Sequence, residues 1–136
     1  NSQILFDLGR EQQAMAQLSE LLRQNPDNHP LTITYSDLLL SQKQNHLAAS
    51  TLRRHAQIRK YDPGVWQKLS EAEGKAGNTI ALFRARAEFL FLTGQSDKAL
   101  KQLKSALELS EGNYLVSARI EQRAREMKAS DEEIKI

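Results

Sequence analysis

The 136-residue chain is long enough for one domain of ordinary size with a substantial core, and too short for two comfortable ones. Its 40% apolar and 26% charged residues exclude a disordered tail, and the longest apolar run, Phe89-Leu90-Phe91-Leu92, falls far short of a bilayer span. A net charge of +2 is too near balance to argue for nucleic acid, and the absence of cysteine removes disulfides, thiolate catalysis and thiolate metal sites. In chain order, Gly9 is expected to break an apolar stretch carrying Ile4, Leu5 and Leu8. A helix follows over about 11–24, with Ala14, Leu18, Leu21 and Leu22 on one face. Asn25-Pro26-Asp27-Asn28 is a turn, because Pro26 lacks a donor and restrains Asn25. The second helix covers about 30–42 through Leu31, Tyr35, Leu38 and Leu39. The third covers about 45–60, with Ala48, Leu52 and Ala56 at its seam and Ile58 or Arg59 beside them. Asp62 and Pro63 supply an N-cap and a first helical position for the fourth, which carries Val65, Trp66, Leu69 and Ala76 and ends at Gly77. Asn78 is expected to cap a fifth helix, about 79–93, ended by Gly94. The sixth opens at Ser96 with Ala99, Leu103, Ala106 and Leu107, and Gly112 ends it. The last covers about 113–128 through Leu115, Ala118 and Ile120, with a charged far half suited to a solvent-facing cap.

The composition agrees with this reading. Twenty Leu, fifteen Ala and twelve Gln outweigh two Val and seven Ile, and the first three types lose little on entering a helix. Gly9, Lys43 and Gly77 are spaced by 34 residues, as are Ala14 and Ala48, Leu18 and Leu52, and Leu22 and Ala56. A helix–turn–helix period of 34 is the tetratricopeptide repeat (TPR) spacing. The chain resembles that family at Trp66, Leu69 and Gly77, at Gly94, Ala99, Leu103 and Ala106, and at Gly9, Ala14, Leu18 and Pro26. Small Ala lets two helices approach closely, a larger residue fills the adjoining gap, and Gly permits the tight turn. The expected fold is all-α, a TPR-like right-handed helical solenoid of about seven antiparallel helices, or about three and a half repeats. The repeat domain is placed at residues 1–128, with a half-repeat at 1–24, a capping helix at 113–128 and a short charged tail at 129–136. The register has a fault: Gly94 follows Gly77 by 17 residues, half a period. The helix over 79–93 is a second helix by parity and a first helix by motif. Lys43 stands where Gly is usual, and Tyr61 and Arg86 stand where an apolar residue or Pro is expected.

The C-terminal half carries a narrower resemblance. Ala85-Arg86-Ala87-Glu88-Phe89-Leu90-Phe91-Leu92-Thr93-Gly94-Gln95 is followed by Ala99-Leu100-Lys101-Gln102-Leu103, then Ala106-Leu107-Glu108-Leu109 and Ser117-Ala118-Arg119-Ile120-Glu121-Gln122-Arg123. This resembles the end of the TPR region of periplasmic M48-family zinc metalloproteases of the β-barrel assembly-enhancing group, over roughly 64–128. The resemblance implies a periplasmic location, a parent whose zinc protease domain precedes Asn1, and partners among outer-membrane barrel proteins and their assembly machinery. The chain opens at Asn1 inside an apolar-periodic stretch, without a basic segment leading into an apolar one. It therefore reads as a piece of a longer protein with no signal peptide of its own.

Catalysis by this chain is not expected. It has no His-Glu-x-x-His, no glycine-rich phosphate loop and no Ser or Thr in a nucleophile context. His29, His46 and His55 lack ligand spacing, Glu71 and Glu73 at i and i+2 do not face each other, and no cofactor is expected here. His55 replaces a small seam residue and is expected to be partly buried. Arg53, Arg54, Arg59 and Lys60 form one basic cluster, which a solvated helix face explains better than a nucleic-acid site, since no aromatics interleave it. Function is expected to lie in protein binding along a groove of first helices. Faces opposite the packing stripes give Asp37, Leu40 and Ser41, then Gln67, Glu71 and Lys75, then Arg84, Glu88 and Phe91. The Lys and Asn of the TPR carboxylate clamp are replaced by Ile33, Asp37, Gln67 and Glu71, so an extended protein segment suits the groove better than a chaperone tail. The alternatives are a TPR scaffold from an unrelated assembly or secretion system, or a helical-repeat nucleic-acid binder through residues 53–60.

Overall fold

The computed structural model describes residues 2–135, with side chains described over 9–132. Within these the chain is seven helices and no strand: α1 (Ser2–Gln24), α2 (His29–Ser41), α3 (Asn45–Ile58), α4 (Pro63–Lys75), α5 (Thr79–Leu92), α6 (Ser96–Leu109) and α7 (Tyr114–Lys135). Each helix packs on its chain neighbours, as a solenoid requires.

Two kinds of turn alternate along the first half. The α1–α2 and α3–α4 turns end in a side-chain cap followed by Pro. Asn28 Oδ1 accepts from the Leu31 N–H at 3.0 Å, and Asp62 Oδ1 accepts from the Gly64 N–H at 3.0 Å. The α2–α3 and α4–α5 turns instead place one residue in the left-handed region, Lys43 at φ 61° and Gly77 at φ 80°. The next N–H then reaches back five residues, Gln44 to the Leu39 carbonyl at 2.8 Å and Asn78 to that of Glu73 at 2.9 Å. Here the register fault takes physical form. The α5–α6 turn should be of the capped kind, yet Gly94 at φ 83° repeats the left-handed kind, with Gln95 N–H on the Leu90 carbonyl at 2.8 Å.

α5 is shared between two cores. Ala85 packs with Leu39, Leu52, Ala56, Val65 and Leu69, whereas Ala87 packs with Ala99, Leu103, Ala106, Ile120 and Met127. Residues two apart on a helix point to opposite sides, so α5 buries one small residue against each neighbour. This explains its apolar residues on every side, including Ile80, Phe83, Leu90 and Phe91 against the second core.

Several expectations are corrected. α1 runs through Gly9 without a break; a helical Gly costs about 1 kcal/mol relative to Ala but need not end the helix. Ile4, Leu5 and Leu8 lie outside the residues whose side chains are described. Asn78 does not cap α5 with its side chain; its Nδ2 donates to Glu73 Oε1 at 2.9 Å. α7 continues to Lys135 rather than stopping near residue 128, which removes the separate tail, and Met127 in its far half is buried. Leu21, Ile58 and Leu115, assigned to packing stripes, are exposed.

Candidate functional site

A groove of about 590 Å³ has walls from α3, α4, α5 and α7, with Leu103 of α6 beneath. Trp66, Leu69, Ala81, Leu115 and Ala118 give it an apolar surface, and Arg53, Glu73, Arg84, Glu88, Arg119, Arg123 and Glu126 give it charge. The Trp66 indole is fixed by an Nε1–H bond to the Lys60 carbonyl at 2.9 Å. Leu115 at 61% exposed is a large apolar side chain left open to solvent in this wall.

The charges are arranged in pairs. Glu73 is 1% exposed, and its carboxylate accepts from Arg53 Nε at 3.0 Å, Arg53 Nη2 at 2.8 Å and Asn78 Nδ2 at 2.9 Å. A buried carboxylate is tolerated only with such satisfaction, and the Arg53 pKa is raised chiefly by its hydrogen bonds to Glu73. Farther along, Arg123 clasps Glu88 with Nε at 2.6 Å and Nη2 at 2.8 Å, and its Nη1 reaches Glu126 at 3.3 Å. The same guanidinium lies 5.5 Å from the centroid of the Phe91 ring, a cation–π distance. Arg84 and Arg119 make no salt bridge among the described residues. The Arg84 pKa is lowered, first by burial and next by the like charge of Arg119, with Glu88 offsetting only part.

A second cleft of about 630 Å³ opens between α4 and α5 on another face, lined by Gln67, Lys68, Glu71, Leu82, Arg86, Phe89 and Leu90. The nine residues assigned to one groove therefore divide. Gln67 and Glu71 line this second cleft, with Lys75 bound to Glu71 at 3.3 Å, while Arg84 and Glu88 line the first. Phe91 sits half-buried under Arg123. On α2, Asp37 pairs with Lys68, Leu40 packs against the first core, and Ser41 Oγ donates to the Leu38 carbonyl. An interior solenoid helix touches a neighbour on each side and keeps two separate edges free, so a single face opposite the packing stripe takes in residues of both clefts.

Sequence reasoning missed Arg53, Trp66, Glu73, Arg119 and Arg123 as groove residues. Arg119 and Arg123, at i and i+4, share one face of α7, as Arg84 and Glu88 do on α5, and these complementary rows were available as a signal. The basic cluster at 53–60 is largely spent on local acids: Arg53 on Glu73, Arg54 on Asp27 at 3.7 Å, and Arg59 on Asp62 at 3.1 Å. Burial opposes the Asp62 charge, yet Arg59 and the N–H groups of Gly64 and Val65 together hold its pKa below the usual value.

His55 is buried rather than partly exposed. Its ring stacks on His29 with centroids 5.1 Å apart and planes 11° apart, and His29 Nδ1 lies 2.8 Å from His55 Nε2. Among the described residues no group of three or more His, Asp or Glu side chains is placed to hold a metal ion, and no helix is long and apolar enough to cross a membrane.

No protein-family model matches the chain. A Vibrio cholerae protein named "Putative beta-barrel assembly-enhancing protease" is 31% identical over 154 aligned positions, which take in 88% of this chain. The chain spans 32% of that protein's length. Among solved structures, "MamA 41-end from Desulfovibrio magneticus RS-1" superposes with a TM-score of 0.55 at 18% identity, covering 93% of this chain and 71% of that one. A double mutant of MamA from the same strain superposes equally well, with the same TM-score of 0.55. The fold is a TPR-like helical solenoid.

Proposed function

We propose, from the premise that this chain is a TPR-like helical repeat similar to part of a β-barrel assembly-enhancing protease, that it is the protein-binding arm of an envelope protease. The observation that carries the reading is the groove across α3, α4, α5 and α7. An apolar wall with charged edges suits an extended protein segment, whose backbone and alternate side chains can use both. The periplasm as location, and outer-membrane barrel proteins and their assembly machinery as partners, rest on the relative's name and on the sequence resemblance. A zinc-binding protease domain of the M48 kind would lie elsewhere in the parent polypeptide, since this chain corresponds to only 32% of the relative. Binding itself would then need no metal, and capture of partners in chelator should equal capture in zinc.

Site-specific photocrosslinking in a Gram-negative envelope tests the reading. Photoreactive residues at Gln57, Ala81 and Leu115 lie in the groove, and one at exposed Leu47 serves as the control. The expected result is capture of outer-membrane barrel proteins or their assembly factors from the three groove positions and not from Leu47. Capture from Gln67 and Glu71 instead would move the site to the α4–α5 cleft. Capture of unrelated secretion components would replace the protease reading with that of a scaffold from another system.

A further inference from the structure

The groove holds four arginines against three carboxylates, and its pairing is uneven. Glu73 is occupied by Arg53, and Glu88 and Glu126 by Arg123. Arg84, half-buried, and Arg119, exposed, remain on the groove walls, neither in a salt bridge among the described residues, and the like charge of Arg119 adds to the burial that lowers the Arg84 pKa. Two guanidiniums on facing walls of one groove, with their donor forks free of protein partners among the described residues, can receive an anion, and a carboxylate matches their geometry.

The surroundings of the two arginines specify more than charge. On α7, Leu115 stands four residues before Arg119, and on α5, Ala81 stands three residues before Arg84. Both pairs line the groove, and each spans about one helical turn, roughly 5.4 Å. Short turns reverse the chain between α5 and α6 and again between α6 and α7, so α5 and α7 run in the same direction. Both walls therefore present an apolar position and then an arginine in the same order. Alternate side chains of an extended segment are separated by about 6.6 Å on one face, which matches this spacing.

We infer that the groove reads a short extended protein segment in which an internal Asp or Glu engages Arg84 and Arg119 while an apolar side chain two residues away covers Leu115 and Ala81. The inference rests on the groove being the protein-binding site. The groove runs on from Leu115 to Glu126 along α7, about 16 Å at the helical rise, which leaves length for a segment that continues on both sides of its acid.

The test is selection of randomised seven-residue peptides, displayed internally in a carrier protein, on the immobilised chain. Enriched sequences should carry an acid and an apolar residue two positions apart. A synthetic, terminally blocked winner should bind at least tenfold more weakly when its acid becomes the amide, and likewise to the Arg84→Gln/Arg119→Gln double variant. That variant removes like-charge repulsion, and an unchanged helical circular dichroism signal shows that it folds. Enrichment of peptides without an acid, or a winner indifferent to the double variant, would overturn the anion assignment and leave the groove as a protein-binding site. Binding only to peptides with a free terminal carboxylate would overturn the choice of an internal acid. Photocrosslinks from the α4–α5 cleft in place of the groove would overturn both this inference and the reading beneath it.

Discussion

At the scale of single residues, burial decides what the ionisable groups do. His55 occupies a seam position where a repeat of this kind prefers a small apolar residue. Burial lowers its pKa first, with the positive charges that His29 and Arg59 can bring adding to the effect and Asp62 and Asp27 opposing it. The unfolded chain therefore takes up a proton near the ordinary value of 6.5 while the folded chain does not. Stability is then full above that pH, falls as the pH drops through 6.5 toward the lowered folded pKa, and levels off below it. Urea midpoints measured between pH 7.5 and 5 should show this loss, and His55→Leu should remove its share of the slope. An equal slope in the variant would assign the effect to other groups. Glu73 offers a second measurement. Arg53→Met leaves a buried carboxylate with only Asn78 as side-chain partner, and should cost about 2–3 kcal/mol. Adding Glu73→Met should recover most of that loss, because two apolar side chains need no pairing. A double variant as unstable as the sum of the singles would show that the pair is not the coupled unit its geometry describes.

At the scale of helices and turns, the left-handed residue is the device that sets the repeat. Three such turns use Lys43, Gly77 and Gly94 in the same hydrogen-bonding pattern, and Lys43 is the one that carries a side chain at positive φ. Lys43→Gly should stabilise the chain by about 0.5–1 kcal/mol, and Gly77→Ala should destabilise it by about 1 kcal/mol, both read from denaturant midpoints. The opposite sign at Lys43 would mean that the entropy gained by the unfolded chain outweighs the strain. These turns were legible in the sequence, since the 34-residue spacing of Lys43 and Gly77 marks two of them and Gly94 marks the third. The caps at Asp62 and Pro63 were equally plain. The groove was less legible because its pairs join residues far apart in sequence, 20 positions for Arg53 and Glu73 and 35 for Glu88 and Arg123. Helical periodicity predicts which face of α4 is buried against one neighbour. It does not say which of the two remaining edges a distant α7 will approach, so Gln67 and Glu71 were joined to Arg84 and Glu88 although they line a different cleft.

At the scale of the whole molecule, the half-period fault divides the solenoid without separating it into domains. Leu52 lies in the core shared by α2, α3 and α4, and Leu103 in the core shared by α6 and α7, with α5 giving Ala85 to one and Ala87 to the other. Nearest-neighbour packing of this kind makes stability a sum of local terms joined by interfaces. Leu52→Ala and Leu103→Ala should each cost about 2–4 kcal/mol, and their effects should add to within about 0.5 kcal/mol, because no atom of one cluster need move to fill a cavity in the other. Amide exchange should report the same division: Leu52→Ala accelerates exchange in α2 to α4 ahead of α6 and α7, and Leu103→Ala does the reverse. A strong coupling between the two sites, or uniform acceleration along the chain, would show that α5 transmits packing changes from one core to the other. The groove draws on both halves, with Arg53, Trp66 and Leu69 on one side of α5 and Leu115, Arg119 and Arg123 on the other. A segment bound there would contact both units at once. Its binding should therefore slow exchange in α3 and α7 together, even though neither helix packs in the other's core.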